Sequence, residues 1–123
     1  MYRVDIERAF SAAHCLKGYQ GNCSELHGHN WAVQAVVAAK ELDEIGIAVD
    51  FRKLKSELDR ILDQFDHKNL SDLQWFNKLN PTSEVIARIV FEQLSSALND
   101  ERVTVEKVRI CESPGSGATY SLD

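Results

Sequence analysis

The chain has 123 residues, 44 % apolar and 27 % charged, with a formal net charge of −5. That length is expected to make a single domain, residues 1–123, whose core holds without disulfide staples. The acidic balance excludes a nucleic-acid partner, and the lack of any apolar run near ~18 residues excludes a membrane span. The opening MYRVDIERAF carries charges where a secretory signal needs an apolar core, so a cytoplasmic location is expected. Three cysteines, Cys15, Cys23 and Cys111, are an odd count that argues against a disulfide framework and leaves room for a thiol with chemistry.

Residues 2–14 alternate, with Tyr2, Val4, Ile6, Phe10, Ala12 and His14 on one side, as in a half-buried strand. A polar loop bearing Gly18 and Gly21 follows. A second alternating run from His27 to about Ala39 puts His27, His29, Trp31, Val33, Ala35 and Val37 on one face. Asp50 reads as the N-cap of a helix carrying Phe51, Leu54, Leu58, Ile61, Leu62 and Phe65. Asn80-Pro81-Thr82-Ser83-Glu84 is a helix-start signal, with Pro81 or Thr82 in the first turn. Val103 to Glu112 is a β-branched strand whose phase slips between Val105 and Val108, which predicts a bulge. Ser113-Pro114-Gly115 turns the chain into a last short strand from Ala118 to Leu122. The predicted order is β-β-α-α-β-β, an α+β fold.

Three of the four histidines fall together in this arrangement. His27 and His29 leave one face of a strand, and antiparallel pairing across the loop brings His14 to the same end. Three imidazoles with no fourth protein ligand match a catalytic Zn²⁺ site with one open position. Gly28 is expected to keep the backbone narrow between them. Hydrogen-bonded core histidines are the alternative. Cys23, four residues before His27 in a polar loop, has three readings: a buried small hydrophobe, a thiolate favoured by a nearby cation, or a fourth ligand that would make the site structural. Asp66-His67 is a carboxylate beside the remaining imidazole. Glu112 continues the apolar face of Val108 and Ile110, so its charge needs a partner, either an internal arginine or a planar ligand with adjacent N–H donors.

Phe10-Ser11-Ala12-Ala13-His14, Cys23-Ser24-Glu25-Leu26-His27-Gly28-His29-Asn30, Val49-Asp50-Phe51, Asp66-His67, Asn80-Pro81-Thr82-Ser83-Glu84 and Cys111-Glu112-Ser113 together resemble the 6-pyruvoyltetrahydropterin synthase / 6-carboxytetrahydropterin synthase family. The resemblance runs the length of the chain. It implies a tunnelling fold, a four-stranded antiparallel sheet with two helices on one face that joins other copies into a barrel, usually as a hexamer built from two trimers. It further implies zinc on His14, His27 and His29, and Cys23 as catalytic base. His67 with Asp66 would be the proton relay, reaching in from a neighbouring subunit. Glu112 would anchor the pterin, with Thr82 and Ser83 lining its pocket. Within the family the chain is most similar to the bacterial branch that makes 6-carboxy-5,6,7,8-tetrahydropterin from 7,8-dihydroneopterin triphosphate, for 7-deazaguanine (queuosine) synthesis. The 6-pyruvoyl branch shares these ligands and this base. Some relatives use a glutamate as base, which keeps Glu25 open, and Lys17 and Lys78 are candidate triphosphate contacts. Two other classes use the same histidines: a zinc hydrolase with Cys23 incidental, and a structural zinc module with Cys23 as fourth ligand.

Overall fold

The computed structural model of the chain describes residues 1–18 and 25–123. Strands β1 (Tyr2–His14) and β2 (His27–Ala39) pair antiparallel along their whole length, from Tyr2 opposite Ala39 to His14 opposite His27. Helix α1 (Phe51–Leu62) follows, then a two-residue strand β3 (Lys68–Asn69), two short 3₁₀ turns, and helix α2 (Ser83–Leu98). Strands β4 (Val103–Ser113) and β5 (Ser116–Tyr120) complete a sheet of order β3-β1-β2-β4-β5.

Both helices cover the face that the alternation marked as apolar. Ile6, Phe10, Trp31, Val33, Val108 and Ile110 meet Leu54, Leu58, Ile61, Ile86, Val90 and Leu94 in one continuous core. Asp50 caps α1 by accepting from Arg52 N, and Thr82 caps α2 by accepting from Val85 N. Such caps contribute about 1 kcal/mol each by satisfying an orphan N–H. Pro81 therefore lies before α2 and Thr82 is its cap. Neither sits in the first turn, because Thr82 keeps an extended backbone that aims its hydroxyl at the helix end.

The sheet has five strands instead of the expected four, and it is not purely antiparallel. β3 runs parallel to β1, pairing Lys68 and Asn69 with Ala12 and Ala13. Two residues carry no periodic signal; tertiary fastening of the preceding Asp66 and His67 to β1 creates this strand. The expected bulge is present, with Val36 opposite Lys107 and Val37 opposite Val105, so Glu106 is the extra residue. A second irregularity lies in the β4–β5 hairpin, where Cys111 and Glu112 face the single residue Gly117. A Cβ on Gly117 would stand 2.6 Å from Cys111 Sγ and 2.7 Å from Arg109 Nε. A side chain there would require the Cys111 thiol and the Arg109 guanidinium to move aside, and the bulge re-aims the strand end carrying Glu112.

Candidate metal centre

The antiparallel register brings His14, His27 and His29 to one end of the sheet, on the helix-covered side. One nitrogen from each lies within 4.8 Å of the other two. Their ring centroids are 4.7 Å (His14–His27), 4.7 Å (His27–His29) and 5.3 Å (His14–His29) apart. Trp31 forms the floor. It is fully buried, stacked on Phe10 at 5.6 Å, tied by its Nε1 to the Ala12 carbonyl, and edge-on to His14 at 4.8 Å.

Hydrogen bonds fix the tautomers. His14 Nδ1 donates to the Pro81 carbonyl at 2.7 Å, and His27 Nδ1 donates to the Glu25 carbonyl at 2.7 Å. Each neutral ring then presents Nε2 as a lone pair, the arrangement seen when outer groups orient metal-bound imidazoles. His14 Nε2 and His29 Nε2 are buried without a hydrogen-bond partner among the described residues. Burial is the largest influence on His14 and lowers its pKa below the usual 6.5, with the His27 and His29 charges acting the same way against the Pro81 hydrogen bond and Glu112. The ring therefore resists protonation and stays available as a ligand.

Glu112 reaches the same point, its Oε2 lying 3.4 Å from His14 Nε2 and 3.8 Å from His29 Nε2. Among the described residues its neighbours are thus the imidazoles and not the internal arginine that was one of the two expectations. A carboxylate facing the His14 lone pair is unfavourable unless a cation lies between them, so this donor set fits a divalent ion of borderline softness such as zinc. A Cβ on Gly28 would meet nothing within 4 Å among the described residues, which gives the expected steric role no support there.

Asp66 and His67 do not join this cluster within the chain. Asp66 Oδ1 accepts from Ser11 N at 2.9 Å, and His67 N donates to Ser11 O at 2.6 Å, which fastens the pair to the outer edge of β1 three residues before His14. The two side chains meet at 3.0 Å through His67 Nδ1 and Asp66 Oδ2. The Ser11 hydrogen bond, more than the contact with His67, holds the Asp66 carboxyl below the ordinary carboxylate range. His67 adopts a left-handed backbone, φ 59°, uncommon for a residue with a Cβ. Its side chain is 83 % exposed. Thr82 and Ser83 sit half-buried at the start of α2, with the Thr82 hydroxyl oxygen engaged as the helix cap. Lys17 and Lys78 are exposed. Cys23, the expected base, lies outside the described residues. Sequence reasoning did not find the Pro81 and Glu25 carbonyls, because a backbone acceptor has no side-chain signature.

The family described as 6-pyruvoyl tetrahydropterin synthase matches residues 3–123. A 6-carboxy-5,6,7,8-tetrahydropterin synthase from Haemophilus influenzae is 30 % identical, covering 98 % of this chain and 99 % of its own length. A protein of the same name from Synechocystis is 35 % identical over 92 % of this chain and 90 % of its own. The solved structure of Caenorhabditis elegans 6-pyruvoyl tetrahydropterin synthase superposes with a TM-score of 0.83 at 34 % identity, covering 100 % of this chain and 98 % of that one.

Proposed function

The chain belongs to the 6-pyruvoyl tetrahydropterin synthase family of enzymes, and from that premise we propose that it is a zinc-dependent lyase of the 6-carboxy branch. Its substrates would be 7,8-dihydroneopterin triphosphate and water; its products would be 6-carboxy-5,6,7,8-tetrahydropterin, acetaldehyde and triphosphate, as a cytoplasmic step toward 7-deazaguanines such as queuosine. The observation that carries the reading is the convergence of three imidazole nitrogens within 4.8 Å, two of them buried without a partner among the described residues. The bacterial relatives named 6-carboxy-5,6,7,8-tetrahydropterin synthase support the choice of branch.

His14, His27 and His29 hold the zinc, which when bound supplies Lewis-acid polarisation to the hydroxyls of the substrate side chain. Cys23 takes the carbon-bound proton, and Glu25 is the substitute base if it does not. His67 returns a proton elsewhere on the side chain, oriented by the carboxylate 3.0 Å from its Nδ1. Glu112 grips adjacent N–H donors of the pterin ring, with Thr82 and Ser83 beside it. The proton shifts expel triphosphate, and the carbon–carbon bond then breaks in the retro-aldol sense. The exposure of His67 favours delivery of the relay from a neighbouring copy. In this reading the protein is a hexamer of two trimers. The outer edge of β1 before Ser11, unpaired among the described residues, is a pairing surface of the kind such a barrel uses.

Incubation of the purified protein with 7,8-dihydroneopterin triphosphate, followed by mass analysis, tests the reading. 6-Carboxytetrahydropterin with acetaldehyde is the expected outcome. 6-Pyruvoyltetrahydropterin without acetaldehyde would favour the second reading, which rests on the likeness to the Caenorhabditis elegans structure. Simple ester hydrolysis would indicate a zinc hydrolase, and an inert protein with a closed four-ligand site would indicate a structural zinc module.

A further inference from the structure

Between β1 and α2 lies a set of hydrogen bonds that neither helix capping nor the proposed chemistry uses. Asn80 N–H and C=O groups of the side-chain amide engage both backbone groups of one residue: Asn80 Nδ2 donates to Lys17 O at 2.8 Å, and Asn80 Oδ1 accepts from Lys17 N at 2.9 Å. The amide satisfies both backbone groups of Lys17 past the end of the β1–β2 ladder, which stops at His14 opposite His27. The next residue, Pro81, supplies the carbonyl that accepts from His14 Nδ1. Thr82 N donates to Asn80 O at 2.9 Å, a three-residue turn centred on Pro81. Proline has no N–H of its own, and Pro81 precedes the helix, so no helical hydrogen bond holds it. Its carbonyl is positioned by the turn, and Asn80 fastens that turn to Lys17, three residues past the end of β1.

We propose that Asn80 is a positioning residue of the metal centre: by clamping Lys17 it holds the Pro81 carbonyl against His14 Nδ1 and so keeps His14 Nε2 aimed at the metal. The proposal rests on the zinc-holding role of the three histidines argued above. It concerns orientation alone, because Asn80 does not touch the imidazoles. Loss of the clamp lets the Pro81 turn drift from β1, and the His14 ring then loses the acceptor that fixes both its tautomer and its angle. Outer partners of metal-bound histidines typically change metal affinity about 10–100-fold, and an effect in that range is expected here.

The test measures metal binding instead of turnover. Wild type, Asn80→Ala and Asn80→Asp are stripped of metal, and zinc affinity is measured by competition with a chromophoric chelator. The visible bands of each Co²⁺-loaded protein report ligand geometry. Asn80→Asp is close in size and keeps the acceptor for Lys17 N but loses the donor to Lys17 O, so it remains informative if Asn80→Ala does not fold. The expected result is an affinity about 10–100-fold weaker in folded variants, with altered Co²⁺ bands. Wild-type affinity and wild-type bands in either folded variant would overturn the positioning role while leaving the three-histidine site intact. A wild-type protein that binds no zinc would overturn the metal reading first, and this inference with it.

Discussion

His14 is 1 % exposed and held by a carbonyl that its ring cannot avoid, whereas His67, fastened beside the same strand, is 83 % exposed on a left-handed backbone. Both histidines are ordered by hydrogen bonds, but the bonds act on different parts of the residue. At the three-histidine centre they fix the rings, through Nδ1 of His14 and His27. At the Asp66–His67 pair they fix the backbone and the carboxylate, through both polar groups of Ser11, and leave the imidazole directed outward. One region gathers three imidazole nitrogens that could hold an ion within a single chain. The other leaves its imidazole exposed to solvent.

The largest way to break this comparison is to remove a ligand. His29→Ala should abolish most zinc binding, since two imidazoles hold the ion far less well than three, and metal analysis of the purified variant checks it. Retention of a full complement would dissolve the first half of the contrast. Next in size is the base. Cys23→Ala should lower single-turnover rate by ~10²–10⁴-fold at unchanged zinc content, the span usual for a general acid–base group. The second half of the contrast can be sharpened with the same variant. If His67 serves a neighbouring copy, Cys23→Ala and His67→Ala chains, each nearly inactive, should regain turnover after dissociation and mixed reassembly. Mixtures no more active than their components would confine His67 to its own chain.

Glu112→Gln should weaken binding of a pterin analogue to the zinc-loaded protein by about 1.5–3 kcal/mol, because a charged acceptor becomes a neutral one. Calorimetric titration reads this directly, and unchanged affinity would leave Glu112 as a neighbour of the histidines only. The smallest expected effect is the acid dependence of the Asp66 clip. Asp66 titrates below its ordinary 3.8 in the folded chain, so the stabilisation it provides is present above 3.8 and fades as the pH falls through the lower folded value. The stability difference between wild type and Asp66→Asn should therefore be seen near pH 6 and shrink in strong acid. A difference that stays constant across that range would mean the carboxylate charge contributes nothing to the clip.

Much of the architecture is legible in the periodicity. The two-residue alternation of β1 and β2 gave their extents, because a strand buried on one face must place every second side chain in the core. Asp50 was readable as a cap for a similar reason: an extended acid ahead of an amphipathic run satisfies the orphan N–H groups that every helix start presents. The slip between Val105 and Val108 marked the Glu106 bulge. β3 was not legible, for two polar residues between His67 and Leu70 have no pattern, and the grip of Asp66 and His67 on Ser11 brings them to the sheet. Nor was the surrounding of Glu112, since the bulge opposite Gly117 is set by a hairpin whose register the alternation does not specify.

Sequence alone was enough to bring three histidines to one end of one sheet, because strand alternation and antiparallel pairing across a short connection leave little freedom. What each ring does there was decided by the tertiary structure. An imidazole becomes an oriented ligand only when its other nitrogen finds an acceptor, and for His14 that acceptor is a carbonyl 67 residues away, brought in by the turn before α2. Backbone oxygens are the same in every residue, so no residue type in the chain announces which of them will meet the ring. The packing of the α2 start against the end of β1 makes that choice.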